Sequence, residues 1–212
     1  MDDRDKRPDF YSCFTTRDAA QYHDWYLAPP GSDIVLEQKQ AICEILGQGG
    51  TRKLLDIGCG TGLFTEWFHT QGFIVTGMDS SEAMIALAKT HCAACAALHV
   101  ADAARMPFAD ASFDIATFIT SLEFVADAQC ALKEAARVAR GQVVILLLNP
   151  GHPMNAERKR KSAASGGVFK NARLWTPGEM ETLIRKSATG ECNITTHGYS
   201  GNSPYFILEM SY

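Results

Sequence analysis

The chain has 212 residues, is 46% hydrophobic and 21% charged, and carries a formal charge of −4. These proportions describe a globular protein that can bury a core without disulfides or metals, and at this length a single domain is expected. They exclude a membrane span, since no apolar run is long enough to cross a bilayer, and the absence of a basic excess argues against nucleic acid as a partner.

The opening segment from Met1 to Arg7 is charged where a signal peptide needs an apolar core, so a cytoplasmic location is expected. The seven cysteines (Cys13, Cys43, Cys59, Cys92, Cys95, Cys130 and Cys192) are odd in number and mostly lie inside apolar stretches, which suits a reducing compartment. Cys92 and Cys95 form a C-x-x-C that could be a redox pair or half of a zinc site. No second pair answers it at zinc-finger spacing, and structural thiols are the expectation.

Residues 1–50 space their apolar positions helically, notably Ile34, Val35, Leu36, Ala41, Ile42, Ile45 and Leu46, which predicts one or two helices before the first strand. Lys53 to Ile57 is a short apolar run; a glycine turn follows, and helical spacing resumes from Leu63 to Gln71. The unit repeats with a strand over Phe73 to Met78, a helix capped by Ser81 and running to about His91, and a strand over Ala97 to Ala101. Phe113 to Ile119 is a fourth strand, followed by a helix from about Ala128 to Ala139. Gln142 to Leu148 is the most apolar strand and should lie near the sheet centre. Beyond Asn149 and Pro150 a polar, basic, glycine-containing segment runs to Arg173. Thr176 and Pro177 then start a helix ending near Gly190, and Cys192 to Thr196 with Tyr205 to Met210 reads as an antiparallel hairpin. Alternating helices and continuously apolar strands predict a doubly wound α/β fold, a mostly parallel sheet with helices on both faces.

The strongest signal is Asp56-Ile57-Gly58-Cys59-Gly60-Thr61-Gly62, between a strand and a helix. Glycine at every second position lets the backbone turn sharply and bring a ligand against main-chain N–H groups. The loop lacks the Gly-Lys-Ser/Thr of a phosphate loop, and Leu63 stands where a dinucleotide loop has glycine. Asp56 would repel a pyrophosphate, yet could accept a hydrogen bond from an ammonium group directly or through water. Asp79 ends the second strand 19 residues beyond Gly60, where a carboxylate can accept from both hydroxyls of a ribose. Asp102, with Ala103 behind it, follows the third strand and is placed to read the amine and ring nitrogen of adenine. Three carboxylates at successive strand ends suit a cationic nucleoside, and S-adenosylmethionine is such a ligand.

With these motifs the chain resembles the class I S-adenosylmethionine-dependent methyltransferases, in particular the small-molecule branch that includes ubiquinone-biosynthesis-like enzymes (methyltransferase type 11). The resemblance runs from Leu54 to Leu148, through Leu54-Leu55-Asp56-Ile57-Gly58-Cys59-Gly60-Thr61-Gly62, Val75 to Met84, Ala101 to Phe108, and Ser112 to Ala116. It implies a Rossmann-like seven-stranded sheet whose last strand is antiparallel. It also implies that Gly58, Gly60 and Gly62, with Cys59 between them, lie at the methionine part, Asp79 at the ribose, Ser80 and Met84 beside the adenine, and Asp102 and Ala103 at its edge. Thr120 and Ser121, just after the fourth strand, fall where the family lines the methyl donor. Tyr22 and Trp25 resemble an aromatic segment that closes over the cofactor in this branch, with core packing as the alternative. On this reading residues 1–50 are a helical cap, 51–148 the cofactor-binding core, 149–175 a substrate-covering insertion and 176–212 the terminal helix and hairpin.

The implied activity is methyl transfer to an oxygen, nitrogen or carbon atom of a small-molecule acceptor. His152 and Glu123 follow strand carboxyl ends and are the candidates for a general base, with polar lining as the alternative. The cation run Arg158 to Lys161 reads as a solvated face, or as an anion-gripping cap. Thr120-Ser121-Leu122-Glu123 stands where adenine-modifying enzymes carry an Asn/Asp-Pro-Pro-aromatic motif and where cytosine modification wants Pro-Cys. A protein or nucleic-acid methyltransferase, an arsenite methyltransferase working through the dispersed thiols, a cofactor-binding protein without turnover and an NAD-binding oxidoreductase are the other readings.

Overall fold

The computed structural model describes residues 14–212 except positions 93, 189, 199 and 201, so the charged opening segment and Cys13 lie outside the described residues. Two helices, α1 (Thr16–Leu27) and α2 (Gly31–Leu46), precede the first strand. The alternating core follows as β1 (Lys53–Ile57), α3 (Leu63–Thr70), β2 (Ile74–Asp79), α4 (Glu82–Cys92), β3 (Ala96–Val100), β4 (Phe113–Ile119), α5 (Ala128–Val138) and β5 (Ala139–Leu148). Then come α6 (Pro153–Ser165), a 3-10 turn at Val168–Asn171, α7 (Pro177–Ser187), β6 (Asn193–His197) and β7 (Tyr205–Ser211).

The strands form one seven-stranded sheet in the order β3-β2-β1-β4-β5-β7-β6. β1 to β5 pair in parallel, whereas β7 runs antiparallel to both β5 and β6. The most apolar strand, β5, thus sits between β4 and β7, one place off the middle. Its alternation shows why it has no polar face: Val143, Ile145 and Leu147 pack with Leu132, Ala135, Met180 and Ile184 of α5 and α7. Val144 and Leu146 pack with Ile42, Leu46, Phe64 and Phe68 of α2 and α3 on the other side. Helices on both faces leave every side chain of such a strand in hydrocarbon.

Local chemistry sets the helix starts. Thr15 and Thr176 each accept from the backbone N–H three residues on, and Asp18 and Glu179 reach back, completing two capping boxes. β5 begins at Ala139, three residues ahead of the apolar run, because Arg140 is drawn into an ion pair with Asp114, whose other oxygen accepts from the Lys53 N–H at 2.8 Å. α6 stands where the sequence reads only as polar and basic. Its buried positions are Asn155 and Ser162, so helical periodicity has no apolar signal there; Pro153 at its start and a left-handed Gly166 at its end bound it. Among the described residues no helix is long and apolar enough to cross a membrane, and no cluster of three His, Cys, Asp or Glu side chains could hold a metal.

Candidate active site

The carboxyl ends of β1 to β4 open onto a cavity of about 490 Å³. The glycine turn forms its floor. Gly58 and Cys59 N–H groups both donate to the Met78 carbonyl, at 2.7 and 2.9 Å, which pins the turn to the end of β2. Gly58 has φ +71°, and a Cβ there would lie 2.4 Å from Cβ of Ser121, whose hydroxyl donates to the Ile57 carbonyl at 2.7 Å. At Gly60, with φ +55°, the space in front is open as far as the Tyr22 ring, 3.6 Å from an added Cβ. Only a residue without a side chain lets the backbone meet a ligand there.

Asp79 is fixed by its own strand end: one carboxylate oxygen accepts from the Gly60 N–H at 3.0 Å and the other from the Ser81 N–H at 2.8 Å. Burial raises its pKa, while the two backbone donors pull it down. Asp102 accepts from the Ala104 N–H at 2.9 Å. Ser80, buried Met84, Asp102, Ala103, Thr120, Ser121 and Tyr22 all line the cavity together with Gly58, Gly60 and Asp79. The structure therefore gathers ten of the residues singled out in the sequence around one space.

The others stand back from it. Asp56, 1% exposed, accepts from Thr65 at 2.7 Å and Thr117 at 3.3 Å, and burial lifts its pKa to about 6. With Cys59, Gly58, Thr61, Tyr22 and Tyr26 it lines a second cavity of about 10 Å³ behind the turn. Gly62, at φ +86°, turns toward α4: a Cβ would meet the Cys92 sulfur at 2.7 Å, so this glycine seats α3 against α4. That contact also accounts for Cys92, a buried thiol pushed up to about 12 by desolvation, as a packing group. Trp25 lies edge-on to Tyr26, outside the cavity lining.

Neither candidate base lines the cavity. His152 caps α6, its Nδ1 accepting from the Met154 N–H at 3.3 Å. Glu123, 1% exposed in the 3-10 turn Leu122–Phe124, points back to β5 and accepts from the Leu148 N–H at 2.7 Å. Burial raises its carboxyl to about 7, a value suited to a general base, but the direction of the side chain is not.

The far wall is made of residues the sequence reading passed over: Phe124, Val125, Ala126, Asp127 and Cys130. The rule that strand carboxyl ends face the crevice, followed a few residues past Ser121, would have reached them. Phe14 joins the roof, where its carbonyl accepts from the Ser81 hydroxyl at 3.2 Å, a contact across 67 residues with no local signal. α1 is tied down beside it by His23, 3.1 Å from the Thr61 hydroxyl and stacked on His91.

Residues 55–147 match the family model described as methyltransferase domain. Over those residues the chain is similar to a methyltransferase domain. It is 32% identical over 154 residues to malonyl-[acyl-carrier protein] O-methyltransferase of Erwinia pyrifoliae, over 72% of this chain and 56% of that protein. To ubiquinone biosynthesis O-methyltransferase of Rhizobium leguminosarum it is 31% identical over 145 residues, 64% of this chain and 58% of that one. The chain thus spans somewhat over half the length of these curated relatives. The fold is shared with a solved SAM-dependent methyltransferase, possible histamine N-methyltransferase, of Thermotoga maritima (TM-score 0.74, 23% identity, 95% of this chain and 99% of that one). Magnesium protoporphyrin IX methyltransferase of Synechocystis, solved with bound SAH, superposes with a TM-score of 0.70 at 17% identity over 95% of both chains.

Proposed function

We propose that this methyltransferase domain binds S-adenosylmethionine in the 490 Å³ cavity and transfers its methyl group to an oxygen, nitrogen or carbon atom of a small molecule. The observation that carries the reading is the convergence of the Gly58–Gly60 turn, Asp79 and Asp102 on one space at the carboxyl ends of three neighbouring strands. The space is of ligand size, and its fixed acceptors suit a nucleoside that bears hydroxyls and a positive charge rather than phosphates.

On this reading Asp79, held by Gly60 and Ser81, accepts from the ribose hydroxyls. Met84 and Ser80 flank the base, and Asp102 with the Ala103 N–H reads its edge. Gly58 and Gly60 offer backbone to the methionine part, with Cys59 and Gly62 shaping the turn from behind and Asp56 acting through the small rear cavity, about the size of one water. Thr120, Ser121 and Tyr22 border the methyl group, and Trp25 buttresses Tyr26 beneath them. Bound sulfonium supplies an already activated methyl group. The protein then has to align a nucleophile with the methyl–sulfur bond and exclude water, work done by positioning. Since neither Glu123 nor His152 lines the cavity, no proton transfer is assigned to them.

On this reading α1 and α2 cap the site and residues 149–175, with α6 at their centre, cover the acceptor, within one domain. Thiols largely shielded from solvent fit a cytoplasmic setting, and the acidic balance fits a small-molecule rather than a nucleic-acid partner. Calorimetry tests the reading: S-adenosylhomocysteine binds, NAD does not, and Asp79→Asn weakens the nucleoside by about tenfold or more, as loss of a charge-assisted pair should. Binding of NAD without S-adenosylhomocysteine overturns it.

A further inference from the structure

Helix α6 carries four consecutive cations, and the structure sorts them onto different faces. Arg160 and Lys161 share the outer face with Glu157, which they meet at 2.7 and 3.5 Å, and their side chains are 71% and 72% exposed. Arg158 falls instead on the stripe Asn155, Arg158 and Ser162, the spacing of one helix face, and the two flanking members are buried. Its guanidinium carbon lies 4.1 Å from the centre of the Trp25 ring and 5.7 Å from that of Phe169. No ion pair engages it among the described residues, where Glu123 is turned to Leu148, and burial lowers its pKa.

Ring faces return less to a cation than its withdrawal from water costs. What stays on offer is the planar fork of N–H donors, which fits a carboxylate or phosphate two bonds at a time. Arg158 stands behind the cavity lining, and two chains of ring contacts link it to the walls. Phe169 packs against Phe124, a cavity wall, with ring centres 5.4 Å apart. Tyr26, which Trp25 abuts, meets the hydroxyl of cavity-lining Tyr22 at 3.1 Å. The two acidic strand tips follow β2 and β3, whereas Phe124 follows β4 and Arg158 follows β5.

We propose that Arg158 is the acceptor-recognising cation, binding a carboxylate or phosphate group of an anionic small-molecule methyl acceptor. The inference rests on the methyltransferase reading of the cavity, and Arg158 holds the acceptor without taking part in bond making.

The test is calorimetry on protein loaded with S-adenosylhomocysteine, titrated with 4-hydroxybenzoate and phenyl phosphate and with the neutral counterparts 4-hydroxybenzamide and phenol. At least one oxyanion should bind about tenfold or more tighter than its neutral counterpart, and which one does so separates carboxylate from phosphate. Arg158→Met should abolish that preference while leaving the affinity for S-adenosylhomocysteine and the melting temperature in place. Arg158→Lys should restore part of it as a point charge. Equal binding of oxyanion and neutral probes, or a preference that survives in R158M, overturns the proposal. Failure of the cofactor reading shows separately, as no binding of S-adenosylhomocysteine; the same titrations on unloaded protein then judge Arg158 by the same criteria.

Discussion

Glu123→Gln isolates the cost of one buried carboxyl. The wild-type side chain keeps one oxygen on the Leu148 N–H, while Oε2 is buried with no partner. Burial raises the carboxyl from 4.5 to about 7. A raised carboxyl pKa means that the folded state holds a proton the unfolded chain has released. Stability is therefore greatest below the unfolded value of 4.5, falls as pH climbs from there to about 7, and is level above. The whole difference amounts to about 3 kcal/mol, of which about 2.5 falls between pH 5 and pH 8. Glutamine keeps an acceptor for Leu148 and cannot ionise, so the variant should gain on the wild type by about 2–3 kcal/mol over that interval, whatever its offset at pH 5. Urea unfolding of both proteins at pH 5, 6, 7 and 8 reads this directly, because contributions from other groups, including Asp56, cancel in the difference. A difference that stays within about 0.5 kcal/mol across the range would mean that Glu123 is solvated or paired, and the reasoning would fail.

Gly62→Ala should cost about 2 kcal/mol, through its φ of +86° and the approach to Cys92 at 2.7 Å, and lower the melting temperature by about 4–8 °C; an unchanged melting curve would refute the packing role. His152→Ala removes a helix cap and should cost only about 0.5 kcal/mol, with kcat for methyl transfer unchanged once an acceptor is in hand. A fall of about tenfold or more in kcat at unaltered KM would return His152 to the chemistry.

The parts legible in the sequence are those where one side-chain type serves one geometric need. β4 and β5 announce themselves because both faces are buried, and Gly58 and Gly60 because no residue with a side chain fits the turn. Asp79 and Asp102 were readable as strand tips, since a parallel sheet sends all such tips to one edge. α6 was not, because its inward stripe of Asn155, Arg158 and Ser162 is polar and leaves no hydrophobic period to detect. The strand-end rule placed Glu123 in the right region yet carried no information on side-chain direction, and the Leu148 N–H, 25 positions away, decides that. Gly62 read as a ligand contact and Cys92 as a structural thiol; the packing of α3 on α4 shows what the thiol packs against and ties the two positions together.

The order β3-β2-β1-β4-β5 divides the labour of the site. The chain builds outward from β1 to β3, then returns to place β4 on the opposite side of β1, so the crevice opens where the tips of β1 and β4 diverge. Gly58 and Ser121 meet across that switch point, and the Ser121 hydroxyl ties it closed by bonding Ile57. Everything on the β2 and β3 side is fixed by backbone, through Gly60 and Ser81 to Asp79 and through Ala104 to Asp102. On the other side the walls come from α1 and the turn after β4, through Tyr22 and Phe124, and α6 with its 3-10 turn stands behind them, joined by contacts among Tyr22, Tyr26, Trp25, Phe124 and Phe169. Aromatic contacts of this kind exchange shape and polarity at little cost to a parallel core they do not belong to. Substitutions at Trp25, Phe124, Arg158 or Phe169 should therefore move acceptor selection and leave nucleoside affinity alone, whereas substitutions at Gly58, Gly60 or Asp79 should do the reverse.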